Sequence, residues 1–270
     1  MSRKMVFVDT SKCTGCKACT VACKEWNELP AEKTQLVTSY QSMKDFTPKT
    51  WTYITFTEKY ENQKMNWLIR KAQCFHCAEP ACLKSCSSNA ISRTESGYVV
   101  INQDLCIGCG YCVENCPFGV PKLDQTQKKA HKCTGCIDRV ENGLSPSCVA
   151  TCQPGTLQFG ERETLMAEAK KRLAEVQKTY PKARIYGETE MGGTTFVYLL
   201  LDVPEVYGLP VNPQTPLSLT LWKDVVRPVG KIAVGGAAAA VVVGVLGNLL
   251  RGAYREQVPE VKEAQKGGKH

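Results

Sequence analysis

Residues 106–117 read Cys-Ile-Gly-Cys-Gly-Tyr-Cys-Val-Glu-Asn-Cys-Pro, so the cysteines have the spacing C-x2-C-x2-C-x3-C and a proline follows. Three cysteines this close in sequence can hold three corners of one metal–sulfur cubane. The fourth cysteine comes four residues later, about one helical turn away, and points toward a different centre. The stretch therefore predicts a fold built around paired centres.

The other cysteines repeat this pattern along the chain. The 270 residues contain 16 cysteines, which fall into four groups of four at residues 13–23, 74–86, 106–116 and 133–152. The third group matches the bacterial ferredoxin signature, including its proline, and the fourth has a longer central gap. Sixteen thiolates are enough for four [4Fe-4S] clusters, so these are the predicted cofactors.

The spacing also predicts which cysteines share a cluster. In two-cluster ferredoxins the last cysteine of one run ligates the partner cluster. The second and third groups then form an inner pair, and the first and fourth groups form an outer pair around it. We call the predicted ligand sets site 1 (Cys13, Cys16, Cys19 and Cys152), site 2 (Cys74, Cys77, Cys82 and Cys116), site 3 (Cys86, Cys106, Cys109 and Cys112) and site 4 (Cys23, Cys133, Cys136 and Cys148).

Two other uses of the cysteines agree less well with the pattern. Disulfides suit short secreted chains, whereas this chain is long and its first residues do not resemble a signal peptide. Structural zinc takes two separated pairs of ligands, a pattern that the fourth group alone would satisfy. His76 and His131 lie beside cysteine groups but are predicted not to be ligands, because the thiolates are already sufficient. Lys17, Lys24 and Lys84 either tune cluster potentials or are simply solvated.

Periodicity predicts a few elements outside the cysteine groups. Strands are expected at residues 51–56, 67–70, 98–101 and 194–203, where aromatic and β-branched residues are frequent. Residues 163–180 are predicted to form a helix before Pro181, with one apolar face made of Leu165, Met166, Ala169, Leu173 and Val176. The proline-rich segment 204–216 is predicted to be an irregular surface wrap or linker.

An apolar segment follows near the C-terminus. Residues 232–250 contain no charged side chain over nineteen positions, which is about the length that crosses the hydrocarbon core of a bilayer. Gly236, Ala240 and Gly244 have the small-xxx-small spacing of packed membrane helices. A single transmembrane helix is therefore predicted, with a buried helix of a soluble protein as the alternative. Because the segment has no histidine, any membrane haem belongs to a partner.

Several functions are disfavoured by composition and motif. The net charge of +8 is spread along the chain without a basic cluster interleaved with aromatic residues, so nucleic acid is not an expected partner. No glycine-rich loop typical of a nucleotide site appears, and no Ser-His-Asp arrangement appears either. The chain is therefore predicted to be a non-catalytic subunit that carries single electrons.

The chain resembles the iron–sulfur (beta) subunit of membrane-bound respiratory formate dehydrogenases, which belong with the molybdopterin oxidoreductases. The resemblance rests on the cysteine groups and on motifs outside them. These motifs are Glu25-Trp26-Asn27, Trp67-Leu68-Ile69-Arg70-Lys71, Gly192-Gly193-Thr194 and Tyr207-Gly208-Leu209-Pro210. The cysteine pattern is shared by many four-cluster subunits, whereas the later motifs and the C-terminal segment are more specific.

The resemblance implies a place in a larger complex used in anaerobic respiration. A molybdenum or tungsten bis-pterin catalytic (alpha) subunit would supply electrons at site 1. The inner pair of sites would lie toward the cytoplasmic membrane, where a cytochrome b (gamma) subunit passes electrons to quinone. The cluster domain is expected on the extracytoplasmic side. The alternative is the same relay role in a nitrate, sulfur-compound or sulfoxide oxidoreductase, or in a hydrogenase.

These predictions combine into an α+β fold of two nested ferredoxin-like units with one C-terminal transmembrane helix. The cluster domain is predicted at residues 1–160, with its inner unit at about 70–125. A helix–strand extension and linker follow at 161–224, then the transmembrane region at 225–254 and a polar tail at 255–270.

Overall fold

A computed structural model describes residues 3–37, 40–61 and 63–216, together with Leu219 and Leu246. The chain divides into Met1–Leu219 and Thr220–His270, and the fold below is that of the first unit. The predicted transmembrane segment 232–250 lies outside the described residues, except for Leu246. Within the part of the chain that the structure describes, no helix is long and apolar enough to cross a membrane.

The described residues form strands, short helices and one long helix. The strands are β1 (Lys4–Asp9), β2 (Tyr53–Glu61), β3 (Lys64–Ala72), β4 (Ile91–Arg93), β5 (Val99–Ile101), β6 (Lys122–Asp124), β7 (Lys129–His131), β8 (Leu157–Glu161), β9 (Arg184–Tyr186) and β10 (Phe196–Leu200). The α-helices are α1 (Ala18–Trp26), α2 (Ala81–Ser85), α3 (Tyr111–Glu114), α4 (Ile137–Glu141), α5 (Ser147–Ala150) and α6 (Arg162–Val176). Short 3-10 helices span Thr10–Lys12, Glu190–Gly192 and Pro204–Tyr207.

A four-stranded sheet forms the main core, in the order β8-β1-β10-β9. Strands β1 and β10 run parallel in its centre, with Val6 opposite Phe196, and the two outer strands are antiparallel to them. The central strands are apolar along most of their length because both of their faces are covered, and β10 is buried throughout. The predicted strand at 194–203 is confirmed as β10.

Helix α6 packs on this sheet through the face that periodicity predicts. Leu165, Ala169 and Val176 are buried, and Met166 and Leu173 are partly buried against the same core, so the predicted helix is confirmed, although it ends at Val176. Arg172 of this helix donates from Nε to Asp9 Oδ2 at 3.0 Å. The Asp9 carboxylate is buried, and this ion pair therefore fixes α6 against the end of β1, just before the first cysteine group.

The antiparallel hairpin β2–β3 leads into the second cysteine group. Its pairing runs from Tyr53 opposite Ala72 to Glu61 opposite Lys64. The strands predicted at 51–56 and 67–70 are confirmed as parts of this hairpin. The smaller hairpins β4–β5 and β6–β7 follow the second and third cysteine groups, and β5 confirms the strand predicted at 98–101.

The short helices pack in the nested order. Helix α1 packs against α5, and these two carry cysteines of the first and fourth groups. Helix α2 packs against α3, and these two carry cysteines of the second and third groups. The fold is therefore mixed α+β, as predicted, with an inner helix pair and an outer helix pair.

The proline-rich segment differs from its prediction. Tyr207 and Leu209 are buried, and the Tyr207 hydroxyl accepts a hydrogen bond from the Leu201 N–H at 3.1 Å. The Tyr186 hydroxyl donates to the Pro210 carbonyl at 2.8 Å. The prediction of a surface linker is wrong for residues 204–210, because two large apolar side chains in this stretch pack into the main core.

Candidate metal centres

The structure brings together the members of each predicted ligand set. All sixteen cysteines are described and are free thiols. In each site one thiol interacts electrostatically with the other three: Cys13 with Cys16, Cys19 and Cys152; Cys77 with Cys74, Cys82 and Cys116; Cys112 with Cys86, Cys106 and Cys109; and Cys23 with Cys133, Cys136 and Cys148. Their assignment as cluster ligands stays a prediction. Within the described residues, no group of three or more His, Cys, Asp or Glu is placed to hold a single metal ion.

Two of the sites coincide with cavities. All four cysteines of site 1 line one cavity, together with Lys71 and Thr156. All four cysteines of site 4 line another cavity, together with Lys71, Thr52 and Phe196. Four converging thiols around a largely apolar cavity form a donor set that suits an iron–sulfur cubane.

Burial disfavours the ionised form of these thiols unless a cation lies beside them. Burial, with a smaller contribution from the neighbouring thiols of the same site, raises the pKa of Cys13 to about 11. It raises the pKa of Cys23 to about 12, again with a contribution from the thiols around it. Four buried thiolates repel each other strongly, whereas a bound metal centre deprotonates its thiols and compensates their charge.

Two buried hydroxyls provide a further test of whether the cavities fit a cluster. Thr156 Oγ1 in the site 1 cavity and Thr52 Oγ1 in the site 4 cavity have no hydrogen-bond partner among the described residues. A buried hydroxyl without a partner costs about 1–3 kcal/mol. The sulfur atoms of a [4Fe-4S] cluster accept hydrogen bonds and would satisfy both groups, so the residues present fit this cofactor.

Backbone donors already reach several of the thiols. The Gly135 N–H donates to Cys133 Sγ at 3.4 Å, and the Leu157 N–H donates to Cys152 Sγ at 3.4 Å. Gly135 has φ +71°, and a Cβ there would lie 2.0 Å from Cδ1 of the buried Tyr98 ring. Glycine is therefore required at this position both by the backbone conformation and by the packing of Tyr98.

Helix α1 shows how Cys19 and Cys23 can belong to different predicted sites. They lie one turn apart, so their side chains reach neighbouring centres. Trp26 at the end of the helix donates from Nε1 to Asp138 Oδ2 at 2.8 Å, and the Arg139 guanidinium lies 4.3 Å from the centre of its indole ring. These contacts with α4 hold the C-terminal turn of α1, and hence Cys23, beside the fourth cysteine group.

The four sites follow one another in the order 1, 4, 2, 3, and we call this row of sites the file. Cys19 of site 1 interacts electrostatically with Cys148 of site 4. A similar interaction links Cys133 of site 4 to Cys74 of site 2, and another links Cys82 of site 2 to Cys112 of site 3. Among the sixteen thiols, the exposed ones are Cys16 at one end of this file and Cys109 at the other. Site 4 is buried entirely.

The histidines beside the cysteine groups have other contacts. His76 is buried, and its Nδ1 accepts a hydrogen bond from the Val99 N–H at 2.9 Å. His131 is half-buried, and its ring stacks on Trp51 with 6.3 Å between the ring centres. His76 thus supports the loop of site 2 through the backbone of β5.

Two buried lysines were missed by sequence reasoning. Lys71 lines the cavities of both site 1 and site 4, and its Nζ donates to Gln73 Oε1. Lys132 donates from Nζ to the carbonyl oxygens of Val99 and Cys133. A lysine one to three residues before a cysteine group was the available signal in both cases. Lys17 and Lys24, which the sequence singled out, are half-buried and donate to backbone carbonyl oxygens, and Lys17 also lines the cavity of site 1.

Comparison with known proteins indicates [4Fe-4S] clusters as the class of cofactor. Residues 12–90 and residues 65–162 each match a family described as a 4Fe-4S dicluster domain, and together these ranges include all sixteen cysteines. The formate dehydrogenase iron–sulfur subunit of Haemophilus influenzae is 44% identical over 242 residues, which is 87% of this chain and 78% of that protein.

Two relatives from Escherichia coli K12 help to place the chain among proteins with similar sequences. The iron–sulfur subunit of the nitrate-inducible formate dehydrogenase is 42% identical, over 82% of this chain and 77% of that protein. One polypeptide of the anaerobic dimethyl sulfoxide reductase is 37% identical, over 59% of this chain and 74% of its own length. The similarity to the formate enzymes extends over more of the sequence, and the chain belongs to the family of formate dehydrogenase iron–sulfur subunits.

Proposed function

We propose that this chain is the electron-transfer subunit of a membrane-bound formate dehydrogenase and holds four [4Fe-4S] clusters, one at each of sites 1 to 4. When bound, each cluster takes up and releases one electron. The observation that carries the proposal is the file of four thiol groups, with Cys16 exposed at one end and Cys109 at the other. Such a file suits electron transfer between two partners that dock at opposite ends.

The chain's own residues set the conditions for this transfer. The buried thiols of site 4 exclude water from the middle of the file. N–H and hydroxyl donors aimed at sulfur stabilise added negative charge and so raise the reduction potential. No bond-breaking role is proposed for any side chain, in agreement with the naming of the relatives as iron–sulfur subunits.

The names of the relatives support a complex with a catalytic subunit, and the two exposed ends of the file support partners docked at both of them. A molybdenum or tungsten bis-pterin catalytic subunit would dock beside site 1, where Cys16 is exposed. A membrane cytochrome b subunit would receive electrons from the end at site 3. The cluster domain would then lie on the extracytoplasmic face of the cytoplasmic membrane.

Residues 232–250 are proposed as the membrane anchor. Their nineteen uncharged positions match the thickness of the hydrocarbon core, and basic residues flank both ends. We expect a chain that ends at residue 224 to appear in the soluble fraction after cell disruption, whereas the full chain stays with the membrane. Fractionation in a strain that lacks the cytochrome b partner measures the anchor alone. Equal membrane retention of both chains in that strain would contradict this role.

The threonine hydroxyls at sites 1 and 4 give a prediction for individual clusters. Thr156→Val is expected to lower the reduction potential at site 1, and Thr52→Val to lower it at site 4. Losing one hydrogen bond of about 0.5–1.5 kcal/mol corresponds to roughly 20–60 mV for one electron. Redox titration followed by EPR measures the shift. Each variant serves as the control for the other, because each should lower a single potential and the two variants should lower different potentials.

Purification of the native complex tests the proposed function. The tagged full chain is isolated from membranes under anaerobic conditions, and formate-dependent reduction of a dye is measured on the eluate. We expect activity together with a large co-purifying subunit. The complex could instead have full iron content, fail to react with formate and react with another substrate, such as a sulfoxide. That result would be consistent with the relay role and would overturn the formate assignment.

A further inference from the structure

Lys71 lies between two of the candidate centres. Its side chain lines the cavity of site 1 and also the cavity of site 4. It is 2% exposed, so its charge is screened very little by solvent. Its neighbours include Cys19 of site 1 and Cys133 and Cys148 of site 4, whose thiol groups interact electrostatically with it.

The surroundings hold this side chain in place. Lys71 is the penultimate residue of β3, in register with Ile54 of β2, and Ile54 also lines the cavity of site 1. Its Nζ donates to Gln73 Oε1, and its carbonyl oxygen accepts from the Tyr198 hydroxyl at 2.9 Å. The Gln73 amide is neutral and does not cancel the charge of the ammonium group, whereas cluster-bound thiolates of Cys19, Cys133 and Cys148 would oppose it.

A positive charge in this position affects reduction in a definite direction. Adding an electron to either site adds negative charge near the ammonium group, and Coulomb attraction in a buried environment is strong. Net charge near a cluster is one of the main determinants of its potential. Because Lys71 lines both cavities, the charge of its ammonium group acts on both sites.

We propose that Lys71 is a positioning residue shared by sites 1 and 4, which raises both reduction potentials together and keeps them matched for transfer between the two sites. This inference rests on the proposed function, because it requires clusters at both sites. Lys132 serves as the control. It is 4% exposed and interacts with Cys74, Cys82 and Cys116 of site 2, and it also reaches Cys133 of site 4, whose carbonyl oxygen accepts from its Nζ. Its effect is therefore expected to be largest at site 2.

The test is redox titration of the anaerobic native complex, followed by EPR. Thr156→Val and Thr52→Val first identify the potentials of sites 1 and 4. Lys71→Met, which keeps the length of the side chain and removes its charge, is then expected to lower both of these potentials. A tenfold change in each reduction equilibrium corresponds to about 59 mV. Lys132→Met is expected to have its largest effect on a third potential.

A second variant covers the case in which Lys71→Met does not assemble. Gln73→Glu retains the lysine and places a carboxylate on its ammonium group, so it offsets the charge with little change in shape. The same two potentials should fall. The inference is overturned if an assembled variant leaves both potentials unchanged, or if all four potentials fall equally. Fewer than four clusters in the wild-type complex would overturn the proposed function instead, so the two failures are distinguishable.

Discussion

Cys23→Ser is expected to abolish the EPR signal that depends on Cys133 and to leave the signal that depends on Cys13 intact. Cys23 belongs to the first cysteine group in sequence, but its thiol interacts with Cys133, Cys148 and Cys136 of the fourth group. The contacts of Trp26 with Asp138 and Arg139 hold it there. The variant should lose about four irons per chain, the content of one cluster.

Reference variants make this comparison independent of any spectral assignment. Cys13→Ser and Cys133→Ser define the spectra that lack site 1 and site 4. The spectrum of Cys23→Ser should match that of Cys133→Ser. The reciprocal variant Cys152→Ser should match Cys13→Ser, because Cys152 interacts with Cys13. If Cys23→Ser instead matches Cys13→Ser, each cluster is held within one sequence group and the nested arrangement is incorrect.

Gly135→Ala is expected to destabilise the loop of site 4 through both backbone strain and steric overlap. An alanine at φ +71° costs about 1–2 kcal/mol through backbone strain. Its Cβ would also lie 2.0 Å from Tyr98 Cδ1, and Tyr98 is fully buried, so its ring has no free space to enter. This overlap adds about 1–3 kcal/mol.

Gly143→Ala is the matched control. Its φ is +76°, and among the described residues no atom lies within 4 Å of the added Cβ, so only the backbone strain remains. The temperature at which the visible cluster absorbance bleaches should be roughly 2–12 °C lower for Gly135→Ala than for Gly143→Ala at the same heating rate. Equal bleaching temperatures would show that the contact with Tyr98 does not constrain the loop.

Local patterns predicted the parts of this molecule that depend on near neighbours in sequence. The spacing of the cysteines is itself the geometry of a cluster loop, so the sixteen candidate ligands could be chosen directly. The apolar positions Leu165, Ala169 and Val176 repeat with a helical period, and α6 was found for that reason. The helices that carry later cysteines, such as α3 at Tyr111–Glu114, are too short for periodicity to detect.

Long-range contacts account for what the sequence did not predict. Strand β1 pairs with β10, which lies about 190 residues away along the chain. Neither strand contains a sequence pattern that identifies the other as its partner. A lysine is ordinarily a surface residue, and Lys71 is buried only because β2, β10 and two cysteine groups enclose it. The hydroxyls of Thr52 and Thr156, which have no partner within the described part of the chain, can be recognised only after the cavities have formed.

EPR of the anaerobic native complex before and after addition of formate tests the central claim most directly. Comparison of the wild type with Cys23→Ser isolates the signal of site 4, which lies inside the file. We predict that formate reduces this site in the wild-type complex and that the corresponding signal is missing in the variant. If dithionite produces the site 4 signal in the wild-type complex and formate does not, the result contradicts the proposed electron path.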